Sequence, residues 1–537
     1  MKKVLSIVIS SLLVLAGCSS EFEFIQDSSS IQESAEVHAS EDADYSGGSQ
    51  SEASVTWDAC DTEAAEPLTK VVDKTFRVYA PKCPTDRTAP TPALEKVALT
   101  GIDLDPCMIQ ENSYSRNTYG DYIIGAFPRA IVQGNWPSKI ELTMVVVPMD
   151  WPDFLGKGSP LKQITPAVQF TEDFYRVFSR GNVTFNWRIY DEWITAPDLS
   201  SEYFVSQEEM QDEHGAMRSK AEVYFPKVIE FTDPYVNYSD ADLVLYVWPE
   251  EQGLFTQYIM WDRGQDGIGP YGSDEGPIKQ AFTGGRFHFI DGHGGLGPFW
   301  AHEMGHAFGL PDLNWNELDG LRNNGDSLPG SFNGYDLMAG FDATMTMSSW
   351  LMFLADWLGP NEAYCLSPET FSEGSFEIFP VTDTRDNLKS VMLPIDDRFQ
   401  IVIESRRLSQ FDVASAFQTR SREGVLIYLV DATKGQGEGT QVIIAPAGRG
   451  LYKYSIENSS RMDQLDAIFY EGNAVDIAGY RIVVNQFMED RDVVSVSKIS
   501  QDEIQFGNFV CITEENRDRS RDYSEYCPLE GSISREY

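Results

Sequence analysis

Four residues between positions 302 and 312 have the types and spacing of a metal site: His302, Glu303, His306 and Asp312. On a helix, residues at i and i+4 lie one turn apart on the same face, so both imidazoles can reach one ion while Glu303 faces its open position. Gly309 can adopt the left-handed conformation that ends a helix, which lets the chain turn and bring Asp312 back as a third ligand. Three protein ligands leave one position of a zinc ion open, as in catalytic zinc sites.

The chemistry expected of such a site is hydrolysis. Zinc makes a bound water acidic and polarises a carbonyl, and Glu303 would take the proton of that water and deliver it to a leaving amine. One alternative is a buried helix whose histidines are only hydrogen-bonded, but such a helix does not require these residue types at these spacings. Another is an inactive zinc domain, against which Glu303 argues, because metal binding alone needs no carboxylate beside the first ligand.

Apolar segments before the motif predict the strands of a supporting sheet. Residues 139–148, 242–248 and 286–290 have the apolar runs typical of buried strands. A helix is predicted over residues 165–179. A glycine-rich loop then leads to Pro298, which suits the first turn of the metal-site helix. That helix is apolar nearly all round, so we expect it to lie buried under the strands.

The pattern changes after about residue 365. Short alternating strands, such as residues 400–404, 424–430 and 480–484, are separated by turn residues and predict an all-β, sandwich-like domain. The predicted fold class is α+β, with a twisted mixed sheet and the zinc helix followed by this β-rich domain. The predicted divisions are a signal peptide (1–17), a disordered tether (18–55), a small N-terminal module or prosegment (56–137), the catalytic domain (138–362) and the β-rich domain (363–537).

The first residues resemble a bacterial lipoprotein signal. Lys2 and Lys3 precede a short apolar core, and the sequence Leu-Ala-Gly-Cys that ends at Cys18 resembles a lipobox. The resemblance implies that Cys18 is lipidated, and that the protein reaches the outer membrane if the host is Gram-negative. An ordinary secretory signal that is cut elsewhere is the alternative, and both imply export. Residues 19–55 are rich in Ser, Glu, Asp and Gly and predict a flexible tether.

Composition limits the partners. The chain carries 41 basic and 83 acidic residues, which gives a formal net charge of −42. Nucleic acid and anionic lipid surfaces are therefore poor partners. No later segment is apolar for long enough to span a bilayer, so the expected membrane contact is the N-terminal lipid alone.

Cysteine usage fits an exported protein. Of the 7 cysteines, lipidation of Cys18 leaves an even number for disulfide pairing. Closeness along the chain favours Cys511 with Cys527, and either Cys60 with Cys83 or Cys83 with Cys107, but the sequence does not decide the connectivity. A zinc-capping thiolate at Cys83 in an inactive precursor is an alternative that the even count disfavours.

The motif and the segments after it resemble the immune inhibitor A family of bacterial metallopeptidases, which are metzincin-like. The resemblance rests on the zinc motif, on Gly-Tyr-Asp-Leu-Met-Ala-Gly at residues 334–340, and on residues 350–359, 399–412 and 424–431. It implies that His302, His306 and Asp312 bind zinc, that Glu303 is the catalytic acid and base, and that Met338 forms a hydrophobic turn beneath the metal. Family members are secreted endopeptidases, often made as precursors and often stabilised by calcium.

Further candidates surround the motif. Gly340 stands where some metzincins have a tyrosine, so Tyr335 is a substitute candidate for transition-state support, with packing as its alternative role. His293, in the glycine-rich loop, is a second such candidate beside its reading as an ordinary loop histidine. Residues 314–326 carry enough oxygen ligands for calcium, although they lack EF-hand spacing and a solvated acidic turn explains them as well.

The sequence therefore predicts an exported, lipid-anchored zinc endopeptidase that cleaves extracellular proteins. Its alternative is a catalytically inactive surface lipoprotein that binds proteins or glycans and retains the peptidase fold. The intact Glu303 and the complete set of zinc ligands favour the enzyme.

Overall fold

The architecture is taken from a computed structural model. It describes residues 69–71, 74–79, 94–99, 102–110, 125–129, 136–203, 220–249, 258–260, 271–284, 295–313, 332, 335–339, 346–397, 399–409, 411, 423–432, 440–444, 453–456, 468–500 and 503. All of them belong to the unit that runs from Cys60 to Tyr537. Cys18 and the predicted tether lie outside the described residues.

A few helices and several sheets make up this unit, so the protein is a mixed α and β protein, which agrees with the predicted fold class at this level. The helices are α1 (Pro160–Phe178), α2 (Lys220–Thr232), α3 (Leu296–Ala307) and α4 (Ser349–Leu354). The strands before α3 are β1 (Thr69–Val71), β2 (Lys74–Tyr79), β3 (Ile140–Asp150), β4 (Val183–Ile189), β5 (Ile194–Thr195), β6 (Leu243–Val247), β7 (Tyr258–Met260), β8 (Tyr271–Ser273), β9 (Gly276–Ile278) and β10 (Ala281–Gly284). Those after α4 are β11 (Ala363–Cys365), β12 (Glu373–Ile378), β13 (Ser390–Pro394), β14 (Phe399–Arg406), β15 (Gly424–Asp431), β16 (Gln441–Ile444), β17 (Lys453–Ile456), β18 (Ile468–Phe469), β19 (Ala474–Ile477), β20 (Tyr480–Phe487) and β21 (Asp492–Lys498).

A mixed sheet supports the metal-site helix. Its strand order is β4-β3-β6-β10-β7, and β5 also pairs with β3. The pairs β3–β4, β3–β6 and β6–β10 are parallel, whereas β10–β7 is antiparallel. Parallel strands are covered on both faces, which explains the continuous apolar runs of β3 and β6 that the sequence displayed. The predicted strands at 139–148 and 242–248 are confirmed, and the one at 286–290 lies outside the described residues.

Helices cover both faces of this sheet. Met144 and Val146 of β3 point into a core that includes α1 and α3, whereas Val145 and Val147 point into a second core with α2. Helix α1 begins earlier than predicted because the hydroxyl of Ser159 accepts a hydrogen bond from the backbone N–H of Lys162, at 3.4 Å, and proline occupies the first helical position. Among the described residues, no helix is both long and apolar enough to cross a membrane.

Two further sheets follow the metal-site region. One has the order β11-β13-β14-β15-β16 with β18 beside β15, and the other has the order β12-β21-β20-β19. Side chains from both sheets share one apolar core, which includes Ile401, Ile427, Ile482 and Val494. The opposite face of the first sheet packs into the core around α1 and α3, through residues such as Tyr428. The predicted strands at 400–404, 424–430 and 480–484 are therefore present, while the division at residue 363 stays a prediction.

The region before β3 is joined to the same unit. Cys107 forms a disulfide with Cys365, at a Cα–Cα distance of 5.8 Å and a sequence separation of 258. The predicted alternative of Cys83 with Cys107 is therefore wrong, because three-dimensional packing and not closeness along the chain brings thiols together. Cys83 and the predicted Cys511–Cys527 pair lie outside the described residues. Gly125 also contributes, since its carbonyl accepts a hydrogen bond from the indole of Trp350 at 2.9 Å.

Candidate metal centre

The motif begins on a completely buried helix. Every residue of α3 is buried, as its apolar composition predicts. The helix starts at Leu296, so Pro298 is its third residue. The helix ends at Ala307, and Gly309 just beyond it has a φ of +76°, in the left-handed region, as expected for a glycine that terminates a helix. The N–H of Leu310 then donates to the carbonyl of Gly305 at 3.0 Å, which closes the turn and redirects the chain toward Asp312.

Backbone carbonyls orient both imidazoles. Nδ1 of His302 lies 2.8 Å from the carbonyl oxygen of Leu337, and Nδ1 of His306 lies 2.8 Å from that of Leu310. A carbonyl oxygen only accepts hydrogen bonds, so each Nδ1 carries the proton and each Nε2 is the nitrogen that could ligate a metal. Such an outer hydrogen bond is what usually fixes a metal-binding histidine.

Both Nε2 atoms converge on one carboxylate. Oδ1 of Asp312 lies 3.2 Å from Nε2 of His302 and 3.5 Å from Nε2 of His306. The three ligand atoms lie within 4.8 Å of one another, and all three residues are buried. Zinc with ligands at 2.0–2.1 Å in a tetrahedron would separate neighbouring ligand atoms by roughly 3.3 Å. The donor set and its spacing therefore fit zinc.

Two buried polar atoms support this fit. Nε2 of His306 and Oε2 of Glu303 have no hydrogen-bond partner within the described part of the chain. A buried polar group without a partner is costly, and a missing ion or water is a common reason for one. The cluster that could hold a metal contains His302, His306 and Asp312 but not Glu303, which leaves this carboxylate available for chemistry beside the ion.

Burial and mutual charges shift the acidities of these groups. Burial raises the pKa of Glu303, and the nearby histidines offset part of that rise. Burial disfavours a charge on His302, but the hydrogen bond and charge of Asp312, together with Glu303, outweigh it and raise the pKa of His302 to about 9. The same histidines hold the pKa of Asp312 well below its usual value despite burial. Because zinc ligands must be deprotonated, zinc binding at this site would release protons.

Met338 lies beneath the helix. It belongs to a short 3-10 turn, Leu337–Ala339, that is buried throughout and is called the methionine turn below. A Cβ atom added to Gly305 would stand 2.5 Å from the sulfur of Met338, so the thioether packs directly on the helix backbone between the two histidines. The carbonyl of Met338 accepts from the N–H of Leu313 at 2.8 Å, which ties the turn to the residue after Asp312.

Of the remaining candidates, the structure describes Tyr335. Tyr335 is buried, and its ring centroid lies 6.3 Å from that of Phe332, which is a packing contact. Its role in transition-state support stays a prediction. His293 and the calcium candidate at residues 314–326 lie outside the described residues.

The chain matches no protein-family model, and no curated protein sequence matches it. The resemblance to the immune inhibitor A family therefore rests on the motifs of this sequence.

Sequence reasoning missed the groups that hold the ligands in place. The carbonyls of Leu310 and Leu337 carry no signal in the sequence, because every residue has one. Three buried charged residues did carry a sequence signal, because a charge inside an apolar segment is unusual: Asp336, Glu404 and Arg406.

Proposed function

We propose that this protein is a zinc-dependent endopeptidase. The observation that carries the proposal is the convergence of two imidazole nitrogens and one carboxylate oxygen in a buried cluster, with the unliganded carboxylate of Glu303 beside it. Three ligands with an adjacent carboxylate is the arrangement of hydrolytic zinc sites, whereas structural sites are usually closed by four protein ligands.

A bound zinc ion would supply Lewis-acid chemistry, which polarises a carbonyl and allows water to attack near neutral pH. Glu303 would accept the proton of the attacking water and deliver it to the leaving amine. Burial raises the pKa of Glu303, which favours uptake of a proton by this carboxylate. Asp312, His302 and His306 would hold the ion, and the apolar walls of α3 would keep bulk water from behind it.

The finer fold assignment is part of the proposal. A mixed sheet over a buried ligand-bearing helix, a methionine turn under that helix and an aspartate as third ligand support a metzincin-like catalytic domain of the immune inhibitor A type. Two sheets that share one apolar core support a sandwich-like arrangement after it.

We further propose that the enzyme is exported, is anchored through lipid on Cys18 and acts on extracellular proteins. The signal-like N-terminus supports export, as does the disulfide between Cys107 and Cys365, since such bonds persist in oxidising compartments. No nucleic acid partner is proposed, because the net charge is −42.

Metal content tests the proposal. Purified protein that has been dialysed against metal-free buffer should retain close to one zinc per chain, as measured by inductively coupled plasma mass spectrometry. A stoichiometry far below one after incubation with zinc would contradict the zinc site, whatever the catalytic activity.

A further inference from the structure

A buried charged pair on β14 faces the metal-site region. Glu404 and Arg406 are two residues apart, so their side chains lie on the same face of the strand. The guanidinium of Arg406 donates from Nε to Oε1 of Glu404 at 2.5 Å, and the side chains are 7% and 0% exposed. Removing two charges from water is costly, so a buried pair is weak evidence for stability alone and suggests another role.

The pair contacts the segment that enters α4. Oε2 of Glu404 accepts from the N–H of Ser349 at 2.7 Å and from the hydroxyl of Tyr428 at 3.0 Å. The same hydroxyl accepts from the N–H of Trp350 at 3.1 Å. Arg406 donates from Nη1 to the hydroxyl of Thr346. Both charges therefore hold backbone or side-chain groups between residues 346 and 350.

That segment in turn holds the methionine turn. The carbonyl of Thr346 accepts from the N–H of Leu337 at 2.8 Å. The carboxylate of Asp336 accepts from the N–H groups of Met338, at 2.8 Å, and of Ser348. The carbonyl of Leu337 is the group that orients the imidazole of His302. A continuous path of contacts thus runs from β14 to a zinc ligand.

We propose that Glu404 and Arg406 are positioning residues of the metal centre. Their contacts fix residues 346–350, and this segment holds the methionine turn. The carbonyl of Leu337 in that turn then orients the imidazole of His302. The pair acts through other groups and does not touch the metal. This inference rests on the proposed zinc site.

The residue that follows β14 offers a matched control. Arg407 pairs with Asp492 of β21, with Nη1 to Oδ2 at 2.9 Å and side chains that are 9% and 0% exposed. This pair is as buried as Glu404 with Arg406, but its further hydrogen bonds are to Ser405 and to backbone carbonyls such as those of Arg406, Met488 and Arg491. If loss of a buried charge alone matters, changing either pair should alter the rate of zinc release similarly. If Glu404 and Arg406 position the metal centre, only a change to that pair should alter the rate.

The experiment compares Glu404→Gln with Asp492→Asn. The rate at which the zinc-loaded proteins release zinc to a chromogenic chelator is measured together with their thermal midpoints. Glu404→Gln should release zinc about 10-fold faster than wild type, since outer-shell partners change metal affinity by 10–100-fold. Asp492→Asn should lower the thermal midpoint by a comparable amount but release zinc at the wild-type rate.

A second variant serves if Glu404→Gln does not fold. Thr346→Val removes the hydroxyl that Arg406 contacts and that itself donates to the carbonyl of Tyr335 at 3.5 Å, and it should also speed zinc release. Wild-type release rates in the folded variants, or equal acceleration in Asp492→Asn, would overturn the positioning role. Failure of the wild-type protein to bind zinc would instead overturn the proposed function, so the two failures are distinguishable.

Discussion

Replacing Glu303 by glutamine should abolish most of the proposed peptidase activity while leaving zinc bound. Glutamine has nearly the shape of glutamate but cannot take up the proton of the attacking water, and general acid–base catalysis is worth about 10²–10⁴-fold in rate. The buried position of Glu303 outside the ligand cluster predicts that metal binding survives the change. Initial rates of casein cleavage and zinc content, measured on the same preparation, check both parts.

Glu362→Gln provides the matched control for this experiment. Glu362 is also a buried glutamate, but its carboxylate binds the guanidinium of Arg180 at 2.8 Å instead of facing the metal cluster. It should keep the wild-type kcat. A Glu303→Gln variant that cleaves casein at the wild-type rate would remove Glu303 from the mechanism.

Replacing His306 by alanine should weaken zinc binding by far more than loss of an outer hydrogen bond does. Loss of an outer partner costs about 10–100-fold in affinity, whereas this change removes a ligand and leaves Asp312 with a single histidine. The dissociation constant is measured by competition with a chromophoric chelator. His38→Ala, in the predicted tether, is the control and should bind zinc like the wild type. Undiminished affinity in His306→Ala would place the zinc elsewhere.

The local features of the candidate metal centre were largely predictable. Helical spacing predicted that His302 and His306 lie on one face. Gly309 predicted a left-handed residue at the end of the helix, and its φ in the structure is +76°. Apolar runs at residues 139–148 and 242–248 likewise predicted buried strands. These features depend on short stretches of chain, where spacing alone carries the physical information.

Long-range contacts were not predictable in the same way. The disulfide of Cys107 joins residues 258 positions apart, and only packing of the region before β3 against β11 brings the thiols together. The link from Arg406 to Thr346 depends on how a later sheet docks onto the metal-site region. Sequence reveals that such a charge is unusual inside an apolar strand, but it does not reveal the partner.

Zinc dependence of casein hydrolysis is the most direct test of the central claim. The purified protein, after any precursor is processed, is treated with a chelator, dialysed, and then given one equivalent of zinc. Cleavage of casein, followed by the appearance of new amino termini, should disappear with the chelator and return with zinc. Cleavage that persists without metal, or an absence of cleavage in the zinc-loaded protein, would contradict the account.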